Sequence, residues 1–236
     1  GKTLTMYLIE GAKWSDGEPF TADDVLFTYY DCIIDPKVPS WQNAGTWTVG
    51  GKVTELEKVD DYTIRWHFGK PFPVYLLWYM GHLNFSVAPA HVLKQYHPKY
   101  NPEATYESFI NCLPPDKLPP VVLGAWVPVY LEEDKALIMK RNPYYWKVDE
   151  TGKQLPYIGE FYFKKARSGT QRDLDLIAGT CDQTHLETPG LFTFINEQAR
   201  NADAPFRIIE GRWTLVFHLE LNLSLYQGVK TDRDRE

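Results

Sequence analysis

The chain has 236 residues, and its 25 Lys and Arg against 31 Asp and Glu give a formal net charge of −6. A chain with this charge lacks the basic face that a phosphate backbone requires, so nucleic acid is excluded as the expected partner. Apolar residues make up 44% of the chain, which predicts a packed core and not a disordered tail. The longest apolar run, residues 74–80, is much too short to cross a bilayer.

The first predicted elements are a strand over residues 4–9, a tight turn and a capped helix. Asp16 can accept a hydrogen bond from the backbone two residues on, and Gly17 supplies a positive φ, so the pair predicts a turn. Thr21 has the hydroxyl of an N-cap residue, and carboxylates follow it in the first turn, where the helix dipole favours negative charge. The helix is predicted to end before Pro36, because a residue before proline is driven out of the α region.

A hairpin and short helices follow. Residues 62–68 alternate between apolar and polar side chains, which predicts a half-buried strand. The turn at residues 60–61 joins it to a strand over residues 52–59. Four prolines between residues 113 and 120 end this region, because proline continues neither a helix nor a central strand. Short helices that begin after prolines are predicted over residues 74–80 and 89–96.

The second half of the chain also mixes strands and helices. Gly179 is predicted to stop a helix over residues 171–178, and Thr188 and Pro189 to open the next helix. The remaining predicted elements are a hairpin of residues 121–131 and 135–141 over a turn at 132–134, a turn at 149–152, and strands at 159–165, 206–210 and 213–223. This interleaving predicts a mixed α/β (α+β) fold, with mixed sheets and flanking helices.

Several segments in order resemble the family 5 extracellular solute-binding proteins of ABC transporters, which are receptors for peptides, nickel complexes and oligosaccharides. The signature is residues 13–25 (KWSDGEPFTADDV), in which two positions need particular backbone angles. The further matching segments are residues 60–64 (DDYTI), 70–73 (KPFP), 87–93 (VAPAHVL), 141–146 (RNPYYW) and 155–158 (LPYI). The resemblance extends from about residue 4 to about residue 222.

The resemblance implies part of a class II fold of the kind found in periplasmic binding proteins. Family members are roughly twice as long, so this chain is expected to be an internal piece. Residues 1–115 would belong to the accessory subdomain, and residues 116–236 to part of the hinge-bearing, ligand-binding lobe. The second lobe would then close over the solute from the far side.

The resemblance also implies a function. The complete protein would capture an oligopeptide or a similar small oligomeric solute outside the cytoplasm and deliver it to the permease subunits of an ABC importer. An oligosaccharide is the alternative solute. A monomer is implied that needs no cofactor and touches the membrane only through a lipid anchor that this piece does not contain.

Two groups of residues carry expected roles by resemblance. Solute contacts are expected after the segment 179–182 and along the strand 217–222, at Gln183, Thr184, His185, Phe217, His218, Glu220 and Asn222. The alternative is that these are ordinary strand-end residues. Structural roles in turns and subdomain packing are expected for Trp14, Asp16, Gly17, Thr21, Asp24, Asn142, Pro143, Tyr145 and Trp146.

Other chemistry has weaker support. The six histidines show no metal-binding spacing, and Cys32, Cys112 and Cys181 lie far apart in sequence, so we expect no metal site and mainly free or buried thiols. A single disulfide stays open if the compartment is oxidising. Carboxylates at 132–134 and at Asp173 and Asp175 could serve a glycoside hydrolase, but we expect them to be solvated. The remaining alternatives are a secreted carbohydrate-active enzyme and a protein-interaction module.

Overall fold

The structure is a computed structural model that describes residues 1–40, 43–71, 74, 80, 86–113, 117–119, 121–186, 188–201, 204 and 206–209. The chain divides into two compact units, Gly1–Lys165 and Ala166–Glu236. The expected subdomain boundary between residues 115 and 116 refers to the complete protein and stays a prediction.

Strands and helices alternate along the first unit, as the sequence predicts for a mixed α/β fold. Its strands are β1 (Thr3–Tyr7), β2 (Thr48–Val49), β3 (Lys52–Val53), β4 (Glu55–Asp60), β5 (Thr63–His67), β6 (Trp126–Glu132), β7 (Ala136–Arg141) and β8 (Glu160–Lys164). Its helices are α1 (Ala22–Phe27), a π-helix (Thr28–Ile33), α2 (Ala90–Leu93), a short 3-10 helix (Lys94–Tyr96) and α3 (Tyr106–Ile110). The second unit contains α4 (Gly169–Ile177) and α5 (Pro189–Ala199).

An antiparallel sheet of order β1-β5-β4 forms the floor of the main core. The alternation predicted for residues 62–68 is confirmed, because Ile64, Trp66 and Phe68 are buried. Trp47 stacks on Trp66 with ring centroids 5.0 Å apart, and Tyr29 meets Trp66 edge-on at 4.9 Å. Such aromatic pairs add to the stabilisation that burial alone provides.

The capped helix is confirmed at its start and differs from the prediction in its second half. Thr21 and Asp24 form a reciprocal capping box, and the helical residues end at Ile33. From Thr28 onward the helix is a π-helix and not the regular α-helix that the sequence predicts. The Thr28 hydroxyl donates to the Asp24 carbonyl at 2.7 Å, a local bond that competes with the regular ladder. The wider turn lets the Tyr29 hydroxyl donate to the Thr54 carbonyl at 2.5 Å.

A second apolar cluster is built from Phe27, Ala90, Leu93 and Phe109. Two of the three thiols pack against it, those of Cys32 and Cys112, and both are free thiols. Burial raises the pKa of the Cys32 thiol to about 12. The thiol therefore stays protonated and behaves as a small apolar group.

The predicted hairpin near residue 133 is confirmed, with shifted ends. β6 begins at Trp126 and not at residue 121, and the turn is one residue later than predicted, with Asp134 at a φ of +62°. The antiparallel sheet has the order β6-β7-β8, with a bulge in β6 between Pro128 and Tyr130. β8 lies where the sequence predicts a strand over residues 159–165.

In the second unit both predicted helices are present. α4 begins two residues earlier than predicted, because the Ser168 hydroxyl accepts the Gln171 amide and caps it. The strand predicted over residues 206–210 is wrong for residues 206–209, which have no regular structure. The predicted helix over residues 74–80 and the strand over residues 213–223 lie wholly or mostly outside the described residues. No helix in the described part of the chain has the length and apolar content needed to cross a membrane.

Candidate functional site

The signature segment 13–25 forms a compact turn that contacts distant parts of the first unit. The Gly17 amide donates to the Trp14 carbonyl at 2.9 Å, and the Asp16 carboxylate accepts the Glu18 amide at 3.2 Å. Gly17 has a φ of +95°, and a Cβ at this position would lie 3.2 Å from the Tyr144 ring. The backbone angle therefore favours glycine, and any larger residue would also have to displace the Tyr144 ring slightly.

The same turn bonds to the segment that precedes β6. The Ser15 amide donates to the Val122 carbonyl at 2.9 Å, and the Val122 amide donates to the Ser15 hydroxyl at 3.0 Å. These two residues are 107 positions apart in the sequence. The turn therefore ties the amino-terminal region of the first unit to the entry of its second sheet.

The side chain of Asp24 connects three segments of this region by hydrogen bonds. Its buried carboxylate accepts the indole N–H of Trp14 at 3.3 Å, the amide of Thr21 at 3.0 Å and the amide of Ala90 at 2.9 Å. Trp14 is itself buried, so its indole is not available to a solute. One carboxylate thus joins the signature turn, the start of α1 and the start of α2.

The segment 141–146 forms a second bonded turn. Asn142 is fully buried, and its amide group donates to the Gly124 carbonyl at 2.9 Å while accepting the Tyr144 amide at 2.9 Å. The carbonyls of Pro143 and Tyr145 both accept the side-chain amide of Gln154, at 2.7 and 2.9 Å. These bonds fix the turn onto the loop that precedes β8. Trp146, whose ring lies tilted against that of Tyr145, remains partly exposed.

The expected solute-contact residues that the structure describes lie in the α4–α5 loop, residues 179–186. Gly179 ends α4 with a φ of +67°, as predicted, and the amide and hydroxyl of Thr180 both contact the Asp175 carbonyl, at 2.9 and 3.1 Å. Gln183 and His185 are exposed, and Thr184 is half-buried. An amide, a hydroxyl and an imidazole are thereby presented together on one short loop.

The far end of this loop is fixed by Asp173, and here one expectation is wrong. We expected Asp173 to be a solvated carboxylate on the helix surface, but Asp173 is fully buried. The carboxylate accepts the backbone amide of Thr188, the N-cap residue of α5, at 3.0 Å. A sequence signal existed, because Asp173 precedes Leu176 and Ile177 by three and four positions and so shares their helix face.

Phe217, His218, Glu220 and Asn222, the other expected contact residues, lie outside the described residues. The acidic cluster at the β6–β7 turn is paired, since Glu132 contacts Lys135 and Asp134 contacts Lys165. Within the described ranges, no group of three or more His, Cys, Asp or Glu side chains is arranged to hold a metal ion. Glu132, Asp134 and Asp173, three of the carboxylates considered for catalysis, thus have structural or surface partners.

Comparison with known proteins gives a consistent result. The family model described as bacterial extracellular solute-binding proteins, family 5 middle, matches residues 1–230. A periplasmic alpha-galactoside-binding protein of Rhizobium meliloti is 43% identical over 224 residues, which cover 95% of this chain and 32% of that protein.

Two solved structures are similar. The periplasmic binding protein MelB from Agrobacterium fabrum, in complex with stachyose, has a TM-score of 0.74 and 44% identity, over 88% of this chain and 31% of that one. An oligopeptide-binding protein OppA has a TM-score of 0.71 and 30% identity, over 84% of this chain and 34% of that one. The chain therefore spans about a third of the length of the relatives it matches. It belongs to family 5 of the bacterial extracellular solute-binding proteins.

Proposed function

We propose that the complete protein containing this chain captures an oligosaccharide with α-galactosidic linkages outside the cytoplasm and delivers it to an ABC importer. The observation that carries the proposal is the degree of similarity. The relatives whose names state an alpha-galactoside or stachyose ligand are 43% and 44% identical to this chain, whereas the oligopeptide-binding structure is 30% identical.

The α4–α5 loop supplies suitable chemistry for this solute. Gln183 can both donate and accept hydrogen bonds, and so can the Thr184 hydroxyl and the neutral imidazole of His185. Sugar hydroxyls also act as both donors and acceptors, so this set matches them without a net charge on the solute. The contact roles of these three residues, and of Phe217, His218, Glu220 and Asn222, are part of the proposal.

Capture requires two states of the complete protein, an open and a closed one. A solute that contacts both lobes has higher affinity for the closed state and shifts the population toward it. The closed form then docks on the permease, and the solute leaves chemically unchanged. No cofactor enters this cycle, the binding protein acts as a monomer, and a lipid anchor would hold it near the transporter.

An oligopeptide is the second candidate solute. The similarity to the OppA structure supports it, with a TM-score of 0.71. The two candidates differ in what the site must neutralise, because a peptide carries charged termini and an oligosaccharide does not.

Isothermal titration calorimetry on the complete protein, with stachyose and a tetrapeptide as probes, separates these candidates. We expect saturable binding of stachyose at one site per chain and none of the tetrapeptide. The Gln183→Ala variant should bind stachyose about three- to tenfold more weakly, the effect of one lost hydrogen bond. Gln198→Ala, at an exposed position on α5, is the matched control and should bind as wild type does.

Chromatography of the titrated sample tests the alternative of an enzyme. Stachyose should be recovered intact after prolonged incubation. Tetrapeptide binding without stachyose binding would replace the oligosaccharide proposal with the peptide one. Release of galactose would contradict a pure binding role.

A further inference from the structure

We infer that Asp173 is a positioning residue for solute capture: its buried carboxylate closes the α4–α5 loop onto α4 and so holds Gln183, Thr184 and His185 in place. This inference rests on the proposed function for its effect on solute affinity. Its structural half, the anchoring of the loop, stands on the geometry of the second unit.

The loop is attached to α4 at both ends. At its start, the amide and hydroxyl of Thr180 contact the Asp175 carbonyl at 2.9 and 3.1 Å. Beyond its end, the Thr188 amide donates to the Asp173 carboxylate at 3.0 Å. The Thr188 hydroxyl also lies 3.4 Å from the Thr170 hydroxyl in the first turn of α4. The chain between these attachments is therefore a closed loop on one helix.

The Asp173 bond supports this closure more than a surface contact would. Asp173 is fully buried, so its carboxylate is shielded from competing water. A hydrogen bond to a charged acceptor is roughly twice as strong as one between neutral groups. The Thr188 side chain makes no capping bond of its own to α5, and its backbone amide makes the shorter of its two contacts with α4.

Anchoring matters for capture because a loop that is already ordered loses less conformational entropy when solute binds. Gln183 and His185 are exposed, and Thr184 is half-buried. The position of the loop backbone sets where these three side chains are presented. Release of the Thr188 end would leave the same groups present but distributed over many positions.

The test uses the complete protein in wild-type form and as two variants. Asp173→Leu removes the acceptor and puts a larger, apolar side chain in its place, and Asp173→Asn keeps the size and a neutral acceptor. Glu197→Gln, which removes one carboxylate charge at an exposed position of α5, is the matched control. Ile195→Val, at a fully buried position of α5, controls for a general loss of stability.

Amide hydrogen exchange and stachyose titration are the two measurements. We expect exchange of the Thr188 amide and of residues 179–186 to be about tenfold faster or more in Asp173→Leu and about two- to fivefold faster in Asp173→Asn. Stachyose affinity should fall about three- to tenfold in Asp173→Leu, mainly through faster dissociation, and recover in Asp173→Asn. Both controls should leave loop exchange and stachyose affinity unchanged.

Three results would overturn the inference. Unchanged loop exchange in Asp173→Leu would show that the carboxylate does not anchor the loop. Faster exchange spread evenly over α5, with the same pattern in Ile195→Val, would show a general stabilising role only. A released loop with unchanged stachyose affinity would show that its position does not matter for capture.

The two proposals can fail separately. If the wild-type protein does not bind stachyose, the oligosaccharide proposal fails, and hydrogen exchange alone decides whether Asp173 anchors the loop. If Asp173→Leu does not fold by circular dichroism, Asp173→Asn decides in its place. Exchange in that variant that is faster only near the loop supports the anchor, and unchanged exchange overturns it.

Discussion

The replacement Asp24→Asn should destabilise the first unit strongly, because the carboxylate of Asp24 is buried and accepts three N–H groups. The carboxylate accepts Trp14 and Thr21 N–H groups on one oxygen and the Ala90 amide on the other. An asparagine amide has a single oxygen, so its NH₂ group must face at least one of these donors. If the oxygen serves Trp14 and Thr21, the NH₂ group lies opposite the Ala90 amide.

The expected cost follows from these contacts. One buried N–H group without an acceptor costs about 1–3 kcal/mol, and loss of the charge on the remaining bonds adds about 1 kcal/mol. The free energy of unfolding should therefore fall by about 2–4 kcal/mol, a large part of the total of about 5–15 kcal/mol that is usual for a domain. Such a loss is in the range expected when a buried hydrogen-bond network is broken.

Urea unfolding of the complete protein, followed by tryptophan fluorescence and circular dichroism, measures this change. Asp23→Asn is the matched control, because Asp23 is the preceding residue and bonds Lys58 at 2.9 Å on the exposed side of the helix. That surface pair should contribute only about 0.2–1 kcal/mol. Equal destabilisation by the two variants would show that the hydrogen bonds to Asp24 do not hold the signature region together.

Two further predictions concern a close approach and an acidic turn. Gly69→Ala should destabilise the first unit by about 2–4 kcal/mol in urea unfolding, because the new Cβ would lie 2.2 Å from the Val49 carbonyl oxygen. Gly159→Ala, with open space around it, is the control and should stay within about 0.5 kcal/mol. The Tyr157 hydroxyl, with help from the bonds of the same turn, lowers the pKa of Asp149 from 3.8 to about 2. The carboxylate form therefore stabilises the turn above about pH 4, and this contribution is lost as the pH falls toward 2. An NMR titration of Tyr157→Phe should show the Asp149 midpoint moving up toward 3.8.

Features set by neighbouring residues could be predicted from the sequence. The capping box of Thr21 and the turn at Asp16 and Gly17 depend on side chains that reach only two or three positions along the chain. The strand over residues 62–68 was predictable because its burial follows a strict alternation. The family resemblance came from the same local features, since the signature segment consists of a turn and a helix start.

Features set by distant contacts could not be predicted. The switch to a π-helix at Thr28 aligns Tyr29 with Thr54, a partner 25 positions away. The bonds between Ser15 and Val122 join segments that no periodicity connects. For Asp173 the helix spacing gives a local signal of burial, but its partner, the Thr188 amide 15 positions away, could not be predicted from that spacing.

The most direct test of the proposed role is identification of the solute that the complete protein carries. The protein would be produced outside the cytoplasm in cells supplied with stachyose and with peptides, purified without denaturation, and then unfolded. Mass spectrometry of the released small molecules should show intact stachyose at about one equivalent per chain. Release of peptides in its place, or of galactose and shorter sugars, would contradict capture of an unmodified oligosaccharide.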